Sequence, residues 1–191
     1  MNRHQTFIKS LVLFAAFIPF VSCSDDPKPG NEEELITQVK LRFAEVGGAT
    51  TDFIWQDPDG ETGSGVPEID DVILSADSEY TLSIYLGDES SGSLVDITED
   101  IREEGADHQF FFLAGSSLDG VINIVYDDED EDGNPVGLQN SVQTSAPGSG
   151  VLKVILRHKP KKNATGVADG DISEAGGETD IEVEFDVIVE E

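Results

Sequence analysis

The chain has 191 residues, of which 40 are acidic and 11 basic, giving a net charge of −29 at pH 7. That balance excludes nucleic acid and a bare anionic lipid surface as partners, because both are bound through Lys and Arg. The length supports one domain, and a hydrophobic content of 38% arranged in periodic blocks favours a folded core with acidic loops over disorder.

The N-terminus reads as an address. Arg3 and Lys9 precede an apolar run, Leu11 to Val21, that is too short to cross a bilayer and suits the core of a secretory signal. The run ends at "FVSC" (20–23), which resembles a bacterial lipobox. On that reading residues 1–22 are a signal peptide and Cys23 is the lipidated first residue of the mature chain. More than one acyl chain, at about 0.8 kcal/mol per buried methylene, makes such an anchor stable. Cys23 is the only cysteine, so no intrachain disulfide can form. The acidic stretch 23–34, with Pro27, Pro29 and Gly30, reads as a polar tether ahead of a domain spanning 35–191.

From Leu35 onward the dominant period is two, the mark of strands. "TQVKLRF" (37–43) sets Val39, Leu41 and Phe43 against Lys40 and Arg42. "TDFIWQ" (51–56) and "DVIL" (71–74) follow, then "YTLSIYL" (80–86), with Tyr80, Leu82, Ile84 and Leu86 on one face. "DITEDIREEG" (96–105) carries the one helical signal: Asp96 can cap, Glu99 sits three residues later, and Gly105 can stop it. "HQFFFLA" (108–114), "VINIVY" (121–126) and "VLKVILRH" (151–158) return to strand. "DIEVEFDVIVEE" (180–191) alternates most cleanly, with Ile181, Val183, Phe185, Val187 and Val189 facing in and Glu182, Glu184 and Asp186 facing out. These elements predict an all-β fold, an antiparallel, Ig-like β-sandwich of about eight strands with one short helix.

Two constellations could bind metal. Asp128, Asp130, Asp132 and Gly133 form D-x-D-x-D-G, the first half of a calcium loop, within the acidic run 127–132. The twelfth position is Gln139, so the bidentate carboxylate is missing, and a solvated hairpin tip is the competing reading. His108 and His158 stand at opposite ends of their strands, and His158 shares its face with Leu152, Val154 and Leu156. If the two strands are neighbours, the imidazoles meet at one end of the sandwich. With Asp107, Glu104 or Glu103 they could then hold a transition metal, or they could ligate haem iron from both sides. "RHKPKKN" (157–163) is the one basic cluster, able to dock an acidic partner or to balance local charge. No G-x-S-x-G, HExxH or phosphate-cradling glycine loop is present, and the carboxylates fall in loops and on outward faces, so the chain reads as a non-enzyme.

"CSDD" (23–26), "ITEDIREEGADHQFFF" (97–112), "GNPVGL" (133–138), "LRHKP" (156–160) and "GGETDIEVEF" (176–185) together carry a family resemblance. The chain resembles small Bacteroidota surface lipoproteins associated with TonB-dependent receptors, often labelled "type 1 periplasmic binding fold superfamily protein". That label implies a two-lobed α/β fold, which a chain this short and strand-rich does not support. The resemblance implies an outer-membrane lipoprotein facing the cell exterior, acting as a non-catalytic accessory of a receptor for nutrient or metal uptake. The alternative expectation is a structural or adhesive surface module stabilised by calcium.

Overall fold

Alternating burial builds two sheets. In β1 (Gln38–Glu45) Val39, Leu41 and Phe43 are buried, while Lys40 and Arg42 lie on the other face beside Tyr85. β1 pairs antiparallel with β2 (Thr50–Gln56) on one side and β5 (Glu79–Asp88) on the other. The computed structural model describes residues 35–191 apart from positions 59, 61, 62 and 64. The signal segment 1–22, Cys23 and the tether 23–34 therefore lie outside the described residues.

The first sheet has the order β3-β2-β1-β5-β9-β8, with β3 (Glu68–Ile69), β8 (Ile122–Tyr126) and β9 (Gln139–Thr144); β6 (Val95–Asp96) pairs with the end of β5. The second sheet has the order β4-β11-β10-β7, with β4 (Val72–Ser75), β7 (His108–Ala114), β10 (Gly148–His158) and β11 (Glu178–Glu190). Half of the structure is strand, so the all-β sandwich expected from the sequence is the fold observed. Phe43, Leu41, Leu82 and Ile84 from the first sheet meet Phe110, Leu152, Leu156 and Phe185 from the second in one core.

Three details differ from the expectation. The structure has more strands than eight, because β3 and β6 are two-residue edge pairings and β9 carries no apolar alternation: its inward positions are Asn140, Val142 and Thr144. β4 runs parallel to β11, so the sandwich is not wholly antiparallel. α1 is shorter than expected, Thr98–Glu103, followed by a 3-10 turn at Gly105–Asp107. Asp96 does accept from the backbone N–H of Thr98 at 2.9 Å, but Glu99 turns to Arg102 instead of closing a capping box.

The run "HQFFF" breaks alternation for a physical reason. The segment between β10 and β11 folds back over the outer face of the second sheet. Phe111 and Ile155 pack there against Val167 and Ala175, and Gln109 donates to the Val167 carbonyl at 2.8 Å. Strands buried on both faces have no polar side to show.

Candidate functional site

β7 and β10 are antiparallel neighbours, and their register sets His108 directly opposite His158. Both follow the inward parity of Phe110 and Leu156, so the imidazoles close one end of the core. The rings stack with centroids 4.8 Å apart and planes at 24°.

A third residue joins them. β11 is bulged opposite Leu156 and Arg157, where Leu156 pairs with Ile181 and Arg157 with Thr179. Asp180 is the additional residue, and a bulge re-aims the side chain it carries. Strict alternation would place Asp180 outside with Glu182 and Glu184; its side chain is instead only 1% exposed. Its Oδ2 lies 3.5 Å from His108 Nε2 and its Oδ1 lies 3.6 Å from His158 Nδ1. One ligand atom from each of the three residues can be chosen so that no two are more than 4.8 Å apart. His108 Nδ1 lies 3.1 Å from the Glu104 carbonyl oxygen, which can only accept. Nδ1 therefore carries the proton and Nε2 is turned toward Asp180.

The expected meeting of His108 and His158 thus occurs, but with a different carboxylate. Glu103, Glu104 and Asp107 are exposed, and Glu104 contributes its backbone carbonyl only. Haem ligation does not fit, because two imidazoles stacked face to face leave no room for a macrocycle between them. A cavity of about 640 Å³ lined by Gln56, Val66, Glu68 and Glu89 takes in none of the three residues.

The acidic run is a hairpin tip in which Asp127, Glu129, Glu131 and Asp132 are exposed, while Asp128 and Asp130 turn into the fold. It begins the loop that joins β8 to β9, an antiparallel pair. Asp128 accepts from the N–H groups of Gly137 at 2.7 Å, Leu138 at 2.9 Å and Gln139 at 3.1 Å, using both oxygens. Asp130 Oδ1 accepts from the N–H groups of Asp132 and Asn134, while Oδ2 takes the Lys162 ammonium at 2.9 Å. Lys162 also donates to the Gly105 carbonyl at 2.6 Å and the Pro135 carbonyl at 2.9 Å. Asp132 remains exposed at the tip. The cation of this loop is a side chain of the chain itself.

Burial alone would raise the Asp130 carboxyl, but Lys162 and the Asn134 and Asp132 N–H groups outweigh it and hold the carboxyl below its ordinary value. Burial pushes the Lys162 ammonium down, and Asp130 offsets part of that. Lys162 comes from the basic cluster 157–163 and is engaged within the chain, while Lys159 and Lys161 of the same cluster are exposed. The pair ties the loop after His158 to the turn before His108, so it positions the histidine end of the sandwich.

Gly137 sits where this loop meets the core. Its φ is +88°, and an added Cβ would lie 2.8 Å from Phe110 Cβ and 3.0 Å from Tyr126 Cε1. Tyr126 is itself fixed, donating its hydroxyl to the Phe110 carbonyl at 2.7 Å, and burial pushes its phenol up to about 12. Gly137→Ala is expected to lower stability by about 2–3 kcal/mol through backbone strain and overpacking. Urea unfolding measures it, and a change within 0.5 kcal/mol, roughly the range of a bland surface substitution, contradicts it.

Fold and site together define an all-β sandwich domain with a buried His–His–Asp cluster at one end. Comparison with protein-family models, with curated proteins and with solved structures finds no match for this chain.

Proposed function

We propose that this chain is a cell-surface lipoprotein, anchored through Cys23 to the outer membrane. It acts there as a non-catalytic binding and accessory module for a TonB-dependent receptor that takes up a nutrient or metal. What supports the reading is the apolar run Leu11 to Val21 that ends at Cys23, ahead of a strand-built domain. Thr37 donates to Gly87 beside the β5–β6 pairing, so the described chain enters at the end of the sandwich that leads into α1 and then His108. The loop 127–138 precedes β9, which starts opposite Ser83 in the middle of β5 and runs antiparallel toward the start of that strand. The adhesive, calcium-stabilised alternative loses its main support, because Asp128 and Asp130 are already engaged by donors within the chain.

Cys23→Ala is expected to move the protein from the outer-membrane fraction to the soluble fraction. Crosslinking of the wild-type protein in intact outer membranes, followed by mass spectrometry, is expected to join it to a TonB-dependent receptor barrel. A Cys23→Ala protein that stays in the membrane defeats the lipoprotein reading, and crosslinking without a receptor partner defeats the accessory role.

A further inference from the structure

We infer that His108, His158 and Asp180 form a resident site for a divalent transition-metal ion of the zinc type. The three side chains aim ligand atoms at one another from three adjacent strands. The Glu104 carbonyl holds His108 Nδ1, which leaves Nε2 as the ring atom aimed at a carboxylate oxygen 3.5 Å away. Two imidazoles and a carboxylate converge here, with one ligand atom from each within 4.8 Å of the others, so a single cation can be bound by all three. His158 Nδ1, buried and without a hydrogen bond, faces the other oxygen of the same carboxylate at 3.6 Å.

The distances fit an ion better than hydrogen bonds. N–H···O contacts fall at about 2.7–3.2 Å. Ligands bound at about 2.0–2.2 Å around a tetrahedral ion stand about 3.4 Å from one another, by the geometry of the tetrahedron. The 3.5 and 3.6 Å separations, one to each oxygen of Asp180, lie close to that edge; with a single oxygen chosen the set spans up to 4.8 Å and must contract on binding.

The donor set of two imidazoles and one carboxylate suits zinc, cobalt or nickel, and calcium poorly, since calcium takes six to eight oxygens. The Glu104 carbonyl supplies the outer contact that commonly orients a metal-bound histidine. The side chains of His108 and Asp180 are 0% and 1% exposed and that of His158 is 8% exposed, so the ion enters past His158. A site this enclosed retains its ion and ties β7, β10 and the β11 bulge together. It is not the place where cargo passes to a receptor, so the site and the accessory role stand or fall separately.

The test uses full-length protein purified without chelators, then stripped with EDTA. Elemental analysis before stripping is expected to find one transition-metal ion per chain. Zinc added back is expected to raise the melting temperature, and cobalt(II) to give the visible absorption of a tetrahedral site. Asp180→Asn is expected to weaken zinc binding at least tenfold while circular dichroism shows the native fold, and His158→Gln provides a second, independent removal of one ligand. The inference is overturned if wild-type protein binds no zinc or cobalt, or if both variants bind as tightly as wild type. The second result would place the metal on the exposed carboxylates instead.

Discussion

Replacing Gly177 by alanine is expected to destabilise the domain by about 4–5 kcal/mol, near the top of the range for a single substitution. Gly177 has φ +73°, and an added Cβ would lie 2.3 Å from the His158 carbonyl oxygen and 2.9 Å from that of Lys159. Those atoms are backbone, so no rotamer change relieves the overlap. The strand start at Glu178 must move away from His158, and Asp180 moves with it. Urea unfolding gives the stability, and cobalt binding gives the effect on the cluster. Gly120→Ala is the control: its φ is +72° and open space surrounds the new Cβ. It should cost only the left-handed strain, about 1 kcal/mol. Equal losses in the two variants would show that the close approach at Gly177 has no energetic weight.

The second large effect is expected at Lys162. Lys162→Met should cost about 3–5 kcal/mol, because it leaves the Asp130 carboxylate buried without its counter-charge. The carbonyls of Gly105 and Pro135 lose a donor at the same time. Adding Asp130→Asn should recover much of the loss, since the amide oxygen can still accept from Asn134 and no charge remains buried. The pH dependence has a definite sign. The folded Asp130 carboxyl is held below its ordinary value, so its contribution is complete above the ordinary aspartate range, about 3.9. It is lost as the pH falls through the lower folded value. Protonation also relieves the variant of its buried charge, so the gap between wild type and Lys162→Met narrows in acid. Chemical unfolding at pH 7 and again well below the ordinary aspartate value measures it; a loss under about 1 kcal/mol at pH 7, or a gap that widens in acid, excludes Lys162 as the internal counter-ion. Salt separates this pair from the rest: screening relieves the repulsion of a chain with net charge −29 but barely touches an ion pair whose side chains are 4% and 2% exposed.

The sandwich was legible because Val39, Leu41 and Phe43, or Ile181, Val183 and Phe185, alternate without interruption, and period two leaves one burial pattern. β9 was not legible. Its inward face holds Asn140 and Thr144, whose burial depends on hydrogen bonds to Gly137 and to Ser75 and Ser78 that only the folded chain provides. The pairing of His108 with His158 followed from their places at strand ends once the strands were adjacent. Asp180 was hidden because a bulge shifts parity by one residue and leaves no compositional trace. Only the preceding Gly176–Gly177, with φ +59° and +73°, marks an irregular entry to the strand. The acidic run was legible in part: four of its acids are exposed as a hairpin tip, but the lysine that pairs with Asp130 lies 32 residues further along the chain.

The place of β1 in its sheet has a mechanical consequence. The strand nearest the N-terminus of the domain is not an edge: it is held through seven residue pairs by β2 and eight by β5. Its hydrogen bonds run across the strand, so a pull along β1 from residue 35 loads both ladders in shear, and they resist together instead of unzipping one bond at a time. Load entering at the start of β1 is then taken up by an interior strand paired along its length on both sides.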